Sequence, residues 1–299
     1  MESLPSVHLV RAALRVAATL DRDGSQRAAV EAACRAMPTG GVFGASELLK
    51  GIDILEQARL IQDDAGLLRP TPELDALLHV DDGEAPGLLV TSFLEAVRPL
   101  WVETPIQDGR VVEDLLPDDS RETLRASLSL ERREALLMNL ARKWRDEELQ
   151  EIGQDGEHFV AESFRSALID AGSAELASRV VQVSATTDAL GYDISVPTLS
   201  GHTLRVEVKS TRRRSSLFRC YLSRNEADFG AGDPNWVLVA CSVGDCPQIL
   251  GWASAEALMP LFPRDVSARS SWRSVELMLS DELTPGLPSI EAPPTKAAK

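Results

Sequence analysis

The sequence predicts a mixed C-terminal half of α+β or α/β class, with a central sheet flanked by helices, preceded by a mainly helical N-terminal half. Three observations carry this. Two segments, 191–197 and 204–209, alternate apolar and polar residues with the period of a strand. The first 60 residues and the stretch from Ser129 to Glu151 instead carry leucine, alanine and valine at helical spacing. At 299 residues, 44% of them hydrophobic, the chain is long enough for two domains with cores of their own.

In chain order, a helix is expected over Val7 to Leu20, broken by the turn Asp21 to Gly24, and a second over Ser25 to Met37 with Ser25 as its N-cap. Gly41 to Phe43 reads as a small strand, Ser46 to Lys50 and Ile52 to Leu60 as two short helices, and Leu60 to Thr71 as a hairpin turning at Asp64-Ala-Gly66. This order over about residues 25–80 resembles a winged helix, so residues 1–100 are read as a winged-helix-like domain. In winged helices that bind DNA, the helix before the hairpin enters the major groove. Here its polar positions are Asp53, Glu56 and Gln57, and two carboxylates there would repel phosphates. A protein partner or a dimer contact suits that helix better than DNA.

Residues 101–150 are read as an acidic, proline-punctuated linker followed by a connecting helix, 151–282 as the second domain, and 283–299, rich in proline, as a disordered tail. The second domain opens with a helix from Gly156 to Ala171 and a strand from Ala177 to Val183.

Composition excludes several classes. No stretch approaches the roughly 20 apolar residues of a membrane span, and the first residues lack a basic region followed by an apolar run, so a cytoplasmic protein with no membrane partner is expected. Cys34, Cys220, Cys241 and Cys246 lack the spacing of a disulfide framework or a zinc site and are expected to be reduced thiols. His8, His79, His158 and His202 form no ligand pair at helical spacing. A Walker-type phosphate loop is also missing, since Thr39-Gly-Gly41 lacks the lysine and spacing. The net charge of −15 argues against nonspecific adhesion to nucleic acid, yet between Arg205 and Arg224 there are seven cations and the single anion Glu207.

The chemistry is concentrated in the alternating segments. In 191–197 the apolar set is Tyr192, Ile194 and Val196, which leaves Asp193 and Ser195 on the other face; in 204–209 it is Leu204, Val206 and Val208, which leaves Arg205, Glu207 and Lys209. A hairpin turning about Ser200 would pair Ser195 with Arg205 and Asp193 with Glu207. Two carboxylates facing each other across a strand pair repel, unless one is protonated or a cation lies between them. Mg²⁺ prefers such oxygen ligands, with water and substrate phosphate completing its shell. Lys209, two residues on and on the same face, would sit beside that ion.

These pieces resemble the PD-(D/E)XK nuclease superfamily and, within it, the domain named for the C-terminal part of the plant protein NO VEIN. The matching segments are Gly156-Glu157, Gly191 to Ile194, Val206 to Thr211, Phe218 to Glu226 and the strand Trp236 to Ala240, spread over about residues 151–255. The resemblance implies a restriction-endonuclease-like fold. It implies a metal site for Mg²⁺ or Mn²⁺ at Asp193, Glu207, Val208 and Glu157, with Asp193, Glu207, Lys209 and Glu157 as the catalytic set. Arg212, Arg213, Arg214, Ser223, Asn225 and Glu226 would lie along the nucleic-acid groove.

Taken without the resemblance, Glu157 could merely complement a helix dipole, the three arginines could be a solvated loop, and Ser223 could simply cap a helix beginning at Asn225-Glu226. The expected function is Mg²⁺-dependent endonucleolytic cleavage of DNA in restriction or anti-phage defence. A partner ATPase or methyltransferase would supply recognition, and a homodimer would supply two sites for two strands. The alternative is a catalytically silent nuclease-fold platform that binds DNA and recruits partners through its winged helix. A transcription regulator fits least, because the helix that would read DNA is acidic.

Overall fold

The computed structural model describes residues 3–183, 190–212, 217–265, 272–292 and 294. The chain divides into two compact units, Met1–Arg145 and Asp146–Lys299. Among the described residues no helix is long and apolar enough to cross a membrane.

The first unit begins with α1 (Val7–Ala17), β1 (Ser25–Gln26), α2 (Arg27–Ala36), α3 (Ala45–Gln57), β2 (Ile61–Asp64) and β3 (Leu67–Pro70), the three strands forming a sheet in the order β1-β3-β2. The hairpin turns where the sequence places it. Ser25 does not cap α2; it lies in β1 opposite Leu68, and its hydroxyl accepts a hydrogen bond from the Asp21 N–H at 3.0 Å. Gly41 to Phe43 forms no strand.

The two short helices expected between Ser46 and Leu60 are one helix. Gly51 suggested the break, but a Cβ there would lie 2.9 Å from the Ala13 Cα, so this glycine is where α1 and α3 touch. Ile52, Ile54 and Leu55 are buried, while Asp53 and Gln57 are exposed. Glu56 is not free: Arg27 pairs with it and with Asp63, the latter at 2.7 Å.

The unit continues with α4 (Pro72–Leu78), α5 (Ala85–Val97), the hairpin β4 (Ile106–Gln107) and β5 (Arg110–Val111), α6 (Asp118–Ser127) and the start of α7 (Leu130–Asp170). The expectation of a linker from residue 101 is therefore corrected. Trp101, Val102, Leu116, Leu124, Leu137 and Leu140 join the same core as α1 and α3. The Ser120 hydroxyl accepts from the Leu4 N–H at 3.1 Å, and the Thr123 hydroxyl donates to the Pro5 carbonyl at 2.9 Å. Acidity at the surface of this segment concealed an apolar interior.

The second unit contains the rest of α7, then α8 (Ala174–Ala177), β6 (Val181–Gln182), β7 (Ile194–Pro197), β8 (Thr203–Thr211), β9 (Phe218–Ser223), α9 (Arg224–Gly232), β10 (Trp236–Ser242), β11 (Gln248–Ser254), α10 (Ala255–Leu258) and β12 (Ser274–Leu279). The expected strand from Ala177 shrinks to β6. Five strands form a mixed sheet in the order β11-β10-β8-β7-β6, in which β8 and β10 run parallel and the other neighbours antiparallel. β9 and β12 form a separate antiparallel pair.

Alternation assigns the two faces of the sheet. Ile194, Val196, Leu204, Val206 and Val208, with Val237 and Val239, pack on Val160, Phe164 and Leu168 of α7. On the other face Trp236, Leu238 and Ala240 pack with Cys220 and Leu222 of β9, Ala227 of α9 and Leu277 of β12. The expectation of a disordered tail does not hold for residues 283–292. Thr284 bridges to Trp252, the Ile290 carbonyl accepts from the Leu199 N–H at 2.9 Å, and Leu287 and Ile290 lie against the core that α7 covers.

Candidate metal and catalytic site

The hairpin of β7 and β8 has the register that alternation predicts, with Ile194 opposite Val206, Ser195 opposite Arg205 and Val196 opposite Leu204. One step beyond the ladder the chain bends at Asp193, which stays bonded to β8 on either side of Glu207. The Asp193 N–H donates to the Val206 carbonyl at 2.8 Å, and its carboxylate Oδ2 accepts the Val208 N–H at 2.7 Å. Asp193 is thereby fastened to β8 at both backbone and side chain, and Val208 enters the site through its backbone while its side chain is buried.

Glu207 is 3% exposed, and its Oε1 takes a hydrogen bond from the Lys209 Nζ at 2.7 Å. The same ammonium reaches Glu226 Oε1 at 3.3 Å. Glu226 also closes the N-terminal cap of α9: its Oε2 accepts the Ser223 N–H at 2.6 Å, and its own N–H donates to the Ser223 hydroxyl at 3.3 Å. Ser223 is therefore a cap, and Glu226, expected along the groove, is a second partner of Lys209. The resemblance placed Glu226 along the groove, and no spacing in the sequence ties it to Lys209. Asn225 is exposed at the start of the same helix.

Glu157 is not at a helix start, because α7 runs unbroken through it, so the dipole explanation falls. It is close enough to Asp193 for its charge to raise the aspartate pKa. What allows α7 to lie against β8 is Gly156, where a Cβ would sit 2.5 Å from the Ser210 Cβ. The Ser210 hydroxyl donates to the Ile152 carbonyl of the same helix at 2.8 Å. Arg212 does not project freely; its guanidinium is held by Glu148 and Glu151 of α7, both at 2.9 Å. Those pairs are exposed and weak enough to exchange for phosphate. Arg213 and Arg214 lie outside the described residues.

Residues 156–249 match the family model described as Protein NO VEIN, C-terminal. No curated protein and no solved structure matches the chain. The NO VEIN match spans Gly156, Asp193, Glu207, Lys209 and Glu226 together, so every group in contact around the ammonium falls inside it.

The electrostatics of the site are those of too much negative charge in too little water. Burial, with help from Glu157 and Glu226, pushes the Asp193 carboxyl up to about 6 despite the Val208 hydrogen bond and Lys209. Burial also raises Glu207 well above the usual carboxylate range, with Asp193 and Glu226 adding to it and Lys209 opposing. For Lys209 burial works against the charge, but Glu207 and Glu226 outweigh it and hold the ammonium protonated. Cys220, free and buried next to these groups, has its thiol pushed up to about 12 by burial, which leaves it inert as a nucleophile.

Among the described residues no group of three or more His, Cys, Asp or Glu side chains is arranged to hold a metal ion. Asp193 and Glu207 supply two carboxylates, which is what a hard divalent cation takes when water and substrate complete its shell. Their raised pKa values mark a place where added positive charge is favourable.

A pH test follows. An aspartate with a raised folded-state pKa gives stability that is fully present below about pH 4 and is lost as pH rises through about 6. Asp193→Asn keeps an acceptor for the Val208 N–H and removes the charge. It is expected to be more stable than the wild type by up to about 3 kcal/mol at pH 8, with the gap closing towards pH 4. Urea denaturation across this range checks it, and a gap that widens on acidification would contradict the burial of Asp193.

Proposed function

We propose that the second unit is a divalent-cation-dependent phosphodiesterase acting on DNA, with a restriction-endonuclease-like fold of the PD-(D/E)XK type. The observation that carries this reading is the Asp193 carboxylate bonded to the Val208 N–H of β8, with Glu207 and Lys209 on either side of Val208 and bonded to each other. Burying two carboxylates whose pKa values burial raises costs the fold stability, whereas cation-assisted phosphoryl chemistry uses such a pair. A mixed five-stranded sheet covered by α7 on one side and α9 and β9 on the other agrees with the fold reading.

In this reading Asp193, Glu207 and the Val208 carbonyl hold Mg²⁺ or Mn²⁺, with Glu157 extending the site. The bound cation supplies Lewis-acid polarisation of the phosphate. Lys209 holds a proton at Nζ and directs it at the phosphoryl oxygens, where charge accumulates as water attacks in line. Arg212 exchanges its glutamates for a backbone phosphate, which positions substrate without reading sequence.

The first unit, with its order α-β-α-α-β-β and a three-stranded sheet, is in this reading a winged helix that binds a protein partner. Asp53 is exposed on α3 and would repel phosphate, while Glu56 is neutralised by Arg27 and adds little to that repulsion. The proposed setting is restriction or anti-phage defence in the cytoplasm, with a partner ATPase or methyltransferase providing recognition. Cleavage of both strands of a duplex takes two such sites, hence a homodimer.

The test is cleavage of supercoiled and linear DNA by the purified protein with Mg²⁺, Mn²⁺ or EDTA. Cutting that requires the metal is expected. Failure to cut, together with no heat of Mn²⁺ binding in calorimetry, would overturn the reading in favour of a silent DNA-binding platform.

A further inference from the structure

We propose that Glu226 is the positioning residue for Lys209, drawing the ammonium away from Glu207 so that the Asp193 and Glu207 carboxylates can accept a divalent cation. This rests on the reading that those two carboxylates bind such a cation. Lys209 stands between two acceptors on different elements, Glu207 at 2.7 Å on its own strand and Glu226 at 3.3 Å on α9. While the ammonium is bonded to Glu207 it competes with any cation for that oxygen. A second carboxylate within reach lets it move without losing its ionic partner, and a buried ammonium left unpaired would be costly.

Glu226 is built to be that fixed second partner. Its carboxylate cannot follow the lysine, because Oε2 is held by the Ser223 N–H at 2.6 Å and the residue's own N–H is tied to the Ser223 hydroxyl. A capping box uses one carboxylate oxygen; the other points at Lys209. The helix that carries it is in turn anchored to the segment leading into Asp193. Phe229 packs against Tyr192 with ring centroids 5.3 Å apart, and a Cβ on Gly191 would meet the Phe229 Cβ at 2.7 Å. The immobile carboxylate is thus held relative to the same aspartate that would share the cation.

Glu226→Gln preserves the cap, since the glutamine oxygen serves in the same box, and turns an amide NH2 towards Lys209 in place of the carboxylate oxygen, so the acceptor that draws the ammonium is lost. Calorimetric titration of the full-length protein with Mn²⁺ is expected to show about tenfold weaker binding in Glu226→Gln than in wild type, with the circular dichroism of the folded protein retained in the absence of metal.

A general loss of negative charge would weaken Mn²⁺ binding whether or not the lysine is present, so the decisive comparison is made in a Lys209→Gln background. There Glu226→Gln is expected to change Mn²⁺ affinity by less than about twofold. An undiminished tenfold loss in that background would overturn the positioning role and make Glu226 a direct ligand or a field effect. Equal Mn²⁺ binding by wild type and Glu226→Gln would overturn it as well, leaving the nuclease reading intact. Absence of Mn²⁺ binding by the wild type would overturn both.

Discussion

In the nuclease reading proposed above, Lys209→Ala is expected to lower metal-dependent DNA cleavage about a thousandfold while the protein stays folded. The loss is large because the ammonium is the only cation in contact with Glu207 among the described residues, and charge developing on a phosphoryl oxygen beside that carboxylate would otherwise meet only negative groups. Fold retention follows from competing magnitudes. Removing one partner of a buried ion pair costs about 3–5 kcal/mol when the other must stay charged. Glu207 is already biased towards its protonated form by burial and by Asp193, so it takes up a proton instead and most of that cost is avoided. Single-turnover cleavage at saturating Mg²⁺, with circular dichroism as the control for folding, measures the effect. Activity within about threefold of wild type would remove Lys209 from the chemistry.

The part of the site that the sequence made legible is the part governed by local rules. Strand alternation is a two-residue repeat and a short hairpin has few registers, so Asp193 could be set against Glu207 from spacing alone. The observed ladder from Ile194 and Val206 to Pro197 and Thr203 has that register. Lys209 followed from the same alternation. Glu226 did not, because its contact with Lys209 joins a strand to a helix that the chain reaches only after β9, and no periodic pattern encodes the packing of α9.

The two misplaced helix boundaries share a different cause. Gly51 and Gly156 both look like helix punctuation in the sequence. In the structure each lies inside a continuous helix, α3 or α7, at the point where a second element comes too close for a Cβ, Ala13 in one case and Ser210 in the other. The start of residues 101–145 reads as a linker because proline and glycine turn signals and exposed carboxylates separate the apolar residues that anchor it, and a linker and a surface-charged helical layer have similar composition. The buried Trp101 was the available signal.

Gly156 leads to the second large effect, in which two opposing contributions can be compared. Alanine at a mid-helix glycine normally stabilises by about 1 kcal/mol, because glycine has more backbone freedom to lose. Here the added Cβ would stand 2.5 Å from the Ser210 Cβ, 2.6 Å from its hydroxyl oxygen and 3.2 Å from the Cys241 Sγ. Neither Ser210 atom is the end of a flexible chain, and the hydroxyl is tied back to the Ile152 carbonyl. Helix and strand must therefore separate, and overpacking of this kind costs about 1–3 kcal/mol, more for valine than for alanine. Steric repulsion should win, so Gly156→Ala is expected to destabilise by about 1 kcal/mol and Gly156→Val by about 3 kcal/mol or more. Because β8 carries Glu207 and Lys209, and α7 carries Glu157, the displacement should also reduce cleavage even where the protein remains folded. Urea denaturation of Gly156→Ala in the wild type and in a Ser210→Gly background separates the two contributions. With the serine side chain gone the alanine should become neutral or stabilising, as helix propensity alone dictates. If Gly156→Ala stabilises the wild type, α7 and β8 do not approach as closely as this packing requires.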